Sequence, residues 1–242
     1  MATTARPTEH VDVLIVGSGP AGSTYARTIA DARPDVSILM VEVGPRLPGP
    51  FGEHTLNMTE EERVACQLAT QGPDAGVQRP GISLALAGSG GGDDGSFFVF
   101  PGLFLVGEGA RVEGEFGLPA AAMASGVGGM GVHWGGSCPR HTGAERVPFI
   151  ESTELDALYD RAEQLLGVSK DLHENDELLV SLRDVIAAEF EPEAPGGAPV
   201  GFMPVAAQRD GTRTRTTGTG RILGDLPTRK GFELRPETLA RR

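Results

Sequence analysis

Apolar residues form two short runs near the start of the chain, with a glycine-rich turn and an amphipathic segment between them. Residues 11–16 are apolar except at Asp12, and residues 36–41 are apolar except at Ser37. Runs of this length that are rich in Val and Ile predict buried β-strands. Residues 21–31 carry small and apolar side chains at helical spacing, which predicts a helix packed closely on a sheet. The pattern therefore predicts a strand–helix–strand unit with a parallel sheet.

Three later segments have the spacing of helices. Residues 59–69 begin with Thr59 and Glu62, which match a capping box. The other two helices are predicted to end at Gly167 and near Pro192. Their predicted apolar faces consist of Leu155, Leu158, Ala162, Leu165 and Leu166 in one helix, and of Leu178, Leu182, Val185, Ile186 and Phe190 in the other.

The predicted strands are too few for a complete nucleotide-binding sheet. Short strands are expected at residues 97–100, 103–106 and 232–234. A doubly wound sheet has about five or six strands, and only about three or four of the predicted strands belong to it. We therefore expect an α/β fold with an incomplete sheet, from which a C-terminal portion is missing.

The turn between the first strand and helix reads Gly17, Ser18, Gly19, Pro20, Ala21 and Gly22. Gly17 allows the sharp turn, Gly19 lets a pyrophosphate approach the backbone, and Gly22 lets the helix pack tightly on the strand. The helix N-terminus offers N–H groups to phosphates. Glu42 follows Gly22 by about 20 residues, where a carboxylate accepts hydrogen bonds from a ribose diol. An acid at this position disfavours an NADP-type ligand.

This fingerprint predicts a dinucleotide site but does not distinguish FAD from NAD. A glycine turn between an ordinary strand and helix is the structural alternative. The alternative is weaker here because the strands, the helix and the acid all occur where dinucleotide binding needs them.

Composition limits the classes of binding partner and the cellular compartment that we expect. The chain has 33 acidic and 21 basic residues and a net charge of −12, which disfavours nucleic acid and anionic membranes as partners. Two cysteines, Cys66 and Cys138, suggest a reducing compartment, and we expect a cytoplasmic protein. We identify neither a signal peptide nor an apolar run long enough to span a membrane. The histidines and cysteines show no metal-ligand spacing.

Two further glycine-rich segments interrupt the pattern. Residues 72–95 predict a surface insertion, or alternatively a mobile lid over a site. Residues 126–140 contain too many glycines for a regular element, which indicates either positive φ angles or backbone held against a flat ligand. His133 lies there beside the only tryptophan, Trp134. Its imidazole is either a hydrogen-bonded structural group or a group that acts on a ligand.

The fingerprint, Glu42 and the run from Gly128 to Trp134 together resemble the glucose–methanol–choline (GMC) flavin oxidoreductases. The resemblance is closest to the pyranose oxidase and bacterial glycoside 3-oxidase branch of that family. It implies a Rossmann-like FAD-binding domain of the GMC/pyranose oxidase type, incomplete and with part of a substrate domain. By this resemblance, Gly128, Gly129 and Met130 lie beside the flavin. His133 occupies the position that is covalently attached to the flavin in fungal members, and Trp134 completes the motif. Whether His133 forms that bond here is open.

The resemblance also implies a division of the chain and an activity. Residues 1–150 would belong to the FAD-binding domain, and residues 151–242 would form a helical segment of the substrate domain. The intact enzyme would oxidise a secondary hydroxyl of a sugar or glycoside by hydride transfer to flavin N5, with oxygen or a quinone as acceptor. No residue of this chain matches the family's catalytic pair, so the base would come from the missing half or from a second chain. The alternatives are a GMC enzyme acting on another alcohol, such as choline or a polyol, and a non-catalytic FAD-binding fragment or subunit.

Overall fold

A computed structural model describes residues 8–71, 103–105, 122–191 and 199–241 of the chain. Its strands are β1 Val13–Val16, β2 Ile38–Val41, β3 Leu103–Leu105, β4 Ala122–Ala124, β5 Ala207–Asp210, β6 Arg213–Thr216 and β7 Phe232–Arg235. Its α-helices are α1 Pro20–Ala32, α2 Glu60–Gln71, α3 Ser152–Leu166, α4 Glu177–Phe190 and α5 Gly220–Leu223. The predicted insertion at 72–95 and the strand predicted at 97–100 lie outside the described residues.

The three strands β1, β2 and β7 form a parallel sheet in the order β1–β2–β7. Val13 pairs with Ile38, and Ile38 pairs in turn with Phe232. All four residues of β2 are buried, as expected for the central strand of a parallel sheet. This order matches the 3-2-1 half of a Rossmann sheet, with β7 as its third strand. The predicted partial α/β fold with a parallel sheet is confirmed.

Helix α1 packs on one face of this sheet and forms the main core. The core residues come from β1, from α1, from β2 and from α5 with the turn after it: Ile15, Ala26, Ala30, Ile38, Met40, Leu223 and Leu226. The small side chains of Ala26 and Ala30 allow the close helix–sheet packing that the sequence predicts. Leu14 and Val16, which alternate with Ile15 along β1, remain 55% and 64% exposed.

The described chain divides into two compact units. The first contains the residues up to His133 together with those from Gly218 onward, and the second contains residues 134–217. The chain therefore returns to the first unit to supply β7. This structural division differs from the expected boundary at residue 150, and the functional division into FAD-binding and substrate segments stays a prediction.

The helix ends follow the local sequence signals. Thr59 N donates to Glu62 Oε2 at 2.7 Å and Glu62 N donates to Thr59 Oγ1 at 3.2 Å, so the predicted capping box is confirmed. Helix α3 ends at Gly167, whose φ of 62° closes the helix in the left-handed conformation. Across the described residues, no helix has the length and apolar character needed to span a membrane.

Helix α4 forms where it was predicted, but its apolar face is not buried. The helix begins after Asp176, whose carboxylate accepts from the backbone N–H groups of Leu178 and Leu179. Leu178, Val185 and Phe190 are 76%, 69% and 61% exposed. Periodicity therefore predicts the helix correctly but does not predict that its apolar face is exposed.

An ionic cluster joins α3 to the segment after Trp134 within the second unit. Arg140 donates from Nε and Nη2 to the two oxygens of Glu163, at 2.6 and 2.7 Å. Lys170 Nζ lies 2.9 Å from the same carboxylate. These donors, Arg140 first, lower the pKa of Glu163 from 4.5 to about 2.

We expect Glu163→Gln to lower the free energy of unfolding at pH 7 and to have progressively less effect as the pH falls from about 5 towards 2. A lowered carboxyl pKa stabilises the fold above the unfolded-state pKa, and this contribution is lost as the native carboxylate becomes protonated. Urea unfolding followed by circular dichroism at several pH values measures the difference. The exposed Glu189→Gln on α4 is the control. A Glu163→Gln effect independent of pH contradicts the prediction.

Candidate functional site

The first glycine turn connects β1 to α1 by a sharp reversal. Gly17 has a φ of +94°, which L side chains rarely adopt, and its N–H donates to Val41 O at 2.8 Å. Gly19 is the N-cap residue of α1, and Pro20 is the first helical residue. A proline is favourable at this position because its missing N–H would have no intrahelical partner.

Gly22 lies where the helix approaches the strand most closely. A Cβ placed on Gly22 would lie 2.0 Å from Gly17 O and 3.3 Å from Ile15 Cγ2. The first contact is with backbone, which cannot move without opening the turn. Only glycine therefore fits at this point of the fingerprint, while Ala21 beside it is exposed.

Glu42, at the end of β2, is buried and hydrogen-bonded to the glycine turn. Its Oε2 accepts from Ser18 N at 3.0 Å and from Ser18 Oγ at 2.7 Å. Its Oε1 accepts from Gly44 N at 3.0 Å. A carboxylate offers about four acceptor positions, so these three donors leave roughly one for a ligand hydroxyl. The acid predicted to bind ribose thus also fixes the backbone around it.

The second glycine loop packs directly against the first. Gly128 and Gly129 have φ angles of +104° and +54°, and a 3₁₀ turn, Gly129–Val132, follows. A Cβ on Gly129 would lie 2.9 Å from Gly19 Cα, and one on Gly131 would lie 2.7 Å from Pro20 Cγ. Gly128 N donates to Ser18 Oγ at 3.0 Å. The structure therefore brings the two loops together, backbone against backbone.

The remaining predicted residues lie at the end of this second loop. Met130 is 43% exposed, which leaves its side chain accessible to a ligand. His133 is half-buried, and its backbone N–H donates to Met130 O at 3.0 Å. Trp134 belongs to the second compact unit, where its indole N–H donates to Thr217 O at 2.7 Å.

The first unit thus has the features of an anion-binding cradle. The α1 N-terminus begins at a glycine turn and has no acidic residue in its first turn. Its backbone N–H groups and the helix dipole favour negative charge. Glycines at positions 17, 19, 128 and 129 leave the adjacent surface without side chains. The residues present fit a dinucleotide pyrophosphate. In the described ranges, no cluster of His, Cys, Asp or Glu is arranged to hold a metal ion.

Comparison with known proteins finds relatives that are similar to the chain over nearly its whole length. No protein-family model matches it. It is 36% identical over its whole length to a C-glycoside 3-oxidase of Microbacterium trichothecenolyticum, of which it covers 46%. It is 36% identical over 96% of its length to a C-glycoside 3-oxidase of Arthrobacter globiformis, of which it covers 44%. A pyranose 2-oxidase of Tricholoma matsutake is 28% identical, with 95% of this chain and 41% of that enzyme aligned.

Over nearly its whole length, the chain is similar to the N-terminal part of these oxidases.

The predicted resemblance to pyranose oxidases and bacterial glycoside 3-oxidases is therefore confirmed. The match falls on the N-terminal part of the relatives, and the chain spans about half of their length.

The structure also reveals residues near the site that sequence reasoning missed. A Cβ on Gly44 would lie 2.1 Å from Gly126 N. A glycine is therefore required at position 44, where the segment after β2 contacts the second loop. Thr219 and Thr55 donate to Gly128 O and Val132 O, at 2.7 and 3.0 Å. Thr219 stands between Gly218 and Gly220, and this alternation of glycines was the one local signal of close backbone approach.

We expect Gly22→Ala to lower the free energy of unfolding by about 1–3 kcal/mol, the usual cost of overpacking. The added methyl would meet Gly17 O and would open the turn from β1 into α1. Gly135→Ala is the matched control, because no atom beyond its chain neighbours lies within 4 Å of its Cβ position. Its effect should stay within about 0.5 kcal/mol. Equal stability of the two variants in urea unfolding contradicts the close packing at Gly22.

Proposed function

We propose that the chain is the N-terminal part of an FAD-dependent oxidoreductase that oxidises a secondary hydroxyl of a sugar or glycoside. The direct contact between the two glycine loops is the observation that carries the proposal, because it builds one cradle from two distant segments. The substrate class follows from the relatives, which are C-glycoside 3-oxidases and pyranose 2-oxidases. Oxygen or a quinone would be the electron acceptor.

The fingerprint would hold the FAD pyrophosphate. Gly17, Gly19 and Gly22 shape the turn that contains Ser18, and Pro20 and Ala21 begin the helix whose N–H groups would face the phosphates. Glu42 would accept from the adenosine ribose with the acceptor position that its internal donors leave open. The buried negative charge also disfavours a 2′-phosphate on that ribose.

The second loop would lie beside the flavin. Gly128 and Gly129 present backbone without side chains, and Met130 is accessible. His133 and Trp134 follow at the loop's end, where the family resemblance places the flavin. When bound, FAD would supply the acceptor for a hydride from the sugar carbon. In the chain itself, these residues bind and orient the cofactor.

No residue of this chain is assigned as the catalytic base. The base would come from the remaining half of the enzyme or from a second chain. Because the chain spans about half of its relatives' length, a non-catalytic FAD-binding fragment or subunit is the second candidate. The cytoplasmic location inferred from cysteine content remains part of this proposal.

We expect the isolated 242-residue chain to take up FAD and to leave it oxidised when a pyranose is added without oxygen. FAD should co-elute with the protein in gel filtration, and its visible absorbance should persist after the sugar is added. Heat-unfolded chain is the control for adventitious flavin. Failure of the folded chain to retain FAD would overturn the proposal. Bleaching by sugar would show instead that the base lies within this chain.

We expect Glu42→Ala to weaken FAD binding by about 1–3 kcal/mol, the cost of leaving buried donors unpaired. The substitution removes the predicted ribose acceptor and also leaves the donors of Ser18 and Gly44 without their shared acceptor. Glu42→Gln, which keeps one acceptor oxygen, should have a smaller effect.

Fluorescence titration of FAD measures both Glu42 variants against Glu174→Ala, an exposed acid of the second unit. Thermal unfolding of each apoprotein identifies variants that have lost their fold. A folded Glu42→Ala chain with unchanged FAD affinity would mean that the ribose is held elsewhere.

A further inference from the structure

The peptide groups of Gly128 are held by two hydroxyls from distant parts of the chain. Gly128 N donates to Ser18 Oγ at 3.0 Å, and Gly128 O accepts from Thr219 Oγ1 at 2.7 Å. Ser18 and Thr219 are separated from Gly128 by 110 and 91 residues. Their relative exposures are 0% and 1%, so water does not compete for these bonds. Both backbone groups of one loop residue therefore make tertiary hydrogen bonds, and Gly128 O also accepts locally from Gly131 N at 3.2 Å.

The direction of the Ser18 bonds is fixed by its neighbour. Ser18 Oγ lies 2.7 Å from Glu42 Oε2, and an ionised carboxylate only accepts hydrogen bonds. The hydroxyl proton of Ser18 is therefore committed to Glu42, and its oxygen is left to accept from Gly128 N. The result is a directed chain from the Gly128 N–H through the Ser18 hydroxyl to the Glu42 carboxylate. Bonds that end on a charge are stronger than those between neutral groups.

Thr219 lies between two glycines that pack closely against another segment of backbone. A Cβ on Gly218 would lie 2.1 Å from Gly52 O, and one on Gly220 would lie 1.8 Å from Phe51 O. The segment 218–220 therefore packs backbone to backbone on the segment around Gly52. Gly220 N donates to Gly52 O at 3.0 Å, which fixes the register. The Thr219 hydroxyl is thus presented to Gly128 by a closely packed and hydrogen-bonded segment.

We propose that Thr219 and Ser18 are positioning residues that clamp the two peptide groups flanking Gly128 and so hold the second loop in place to bind flavin. The inference rests on the proposed function, since the ligand positioned is FAD. The two hydroxyls act through the backbone of Gly128 to Met130. Through Ser18, the loop beside the flavin is coupled to Glu42, the acid assigned to the adenosine ribose. The clamp thus ties both ends of the cofactor site to one hydrogen-bonded chain.

Thr219→Val tests the clamp because it removes the hydroxyl and nearly preserves the side-chain shape. We expect FAD to bind about tenfold more weakly, the factor for losing roughly one buried hydrogen bond. The visible circular dichroism of bound flavin should change, because the loop beside the ring is no longer fixed. Thr219→Ser restores the hydroxyl and should bind FAD within about twofold of wild type.

Thr228→Val is the matched control. The exposed Thr228 hydroxyl donates a hydrogen bond of 2.8 Å to Asp225 O, within its own turn. Its loss should leave both FAD affinity and the flavin spectrum unchanged. A purely structural role for Thr219 would lower thermal stability without changing the dichroism of the bound flavin.

Ser18→Ala and the double variant provide the second test. Because both hydroxyls hold the backbone of the same residue, we expect Ser18→Ala with Thr219→Val to lose less affinity than the two single effects added together. If Thr219→Val does not fold, Ser18→Ala is the test of the clamp. A folded Ser18→Ala chain with wild-type FAD affinity and flavin dichroism would then overturn the proposal.

The outcomes distinguish this inference from the proposed function. A wild-type chain that does not bind FAD overturns the proposed function itself. A wild-type chain that binds FAD, with folded Thr219→Val matching it in affinity and dichroism, overturns only the clamp. Weaker binding by Thr219→Val that Thr219→Ser rescues supports it.

Discussion

The buried carboxylate of Glu42 connects the parts of the candidate site. It accepts from the backbone and hydroxyl of Ser18 and from the backbone of Gly44. Through Ser18 it reaches Gly128 of the second loop. The Glu42 carboxylate therefore links the end of β2 to the turn after β1 and, through Ser18, to a loop 110 residues beyond that turn. A buried charge is stable only when donors surround it, so the geometry of all three segments is constrained together.

Glycine is what allows these segments to meet. The contact of Gly129 with Gly19 leaves no room for a Cβ on Gly129, and the contact of Gly44 with Gly126 leaves none for a Cβ on Gly44. The same absence of side chains leaves backbone N–H groups accessible to phosphate at the start of α1. Close packing of the loops and binding of phosphate would therefore both require glycine at these positions. This is why the two glycine-rich stretches are the most informative parts of the chain.

Local patterns predicted the local structure well. The strand–helix–strand unit, the Thr59–Glu62 capping box and the stop at Gly167 all depend on residues close in sequence. The contact between Ser18 and Gly128 and the role of Thr219 depend on tertiary packing, for which the sequence offered only the alternation of glycines around Thr219. Periodicity likewise predicted helix α4 but not the exposure of Leu178 and Val185. The return of the chain to pair β7 with β2 also required the structure.

Hydrogen–deuterium exchange of the 242-residue chain, measured with and without FAD, tests the central claim that the two loops form one cofactor cradle. The claim predicts that peptides covering residues 13–23 and 124–133 both exchange more slowly when FAD is present. Peptides from α4 should not change, which provides an internal reference. Slower exchange in the first loop alone, with residues 124–133 unaffected, would contradict the shared cradle.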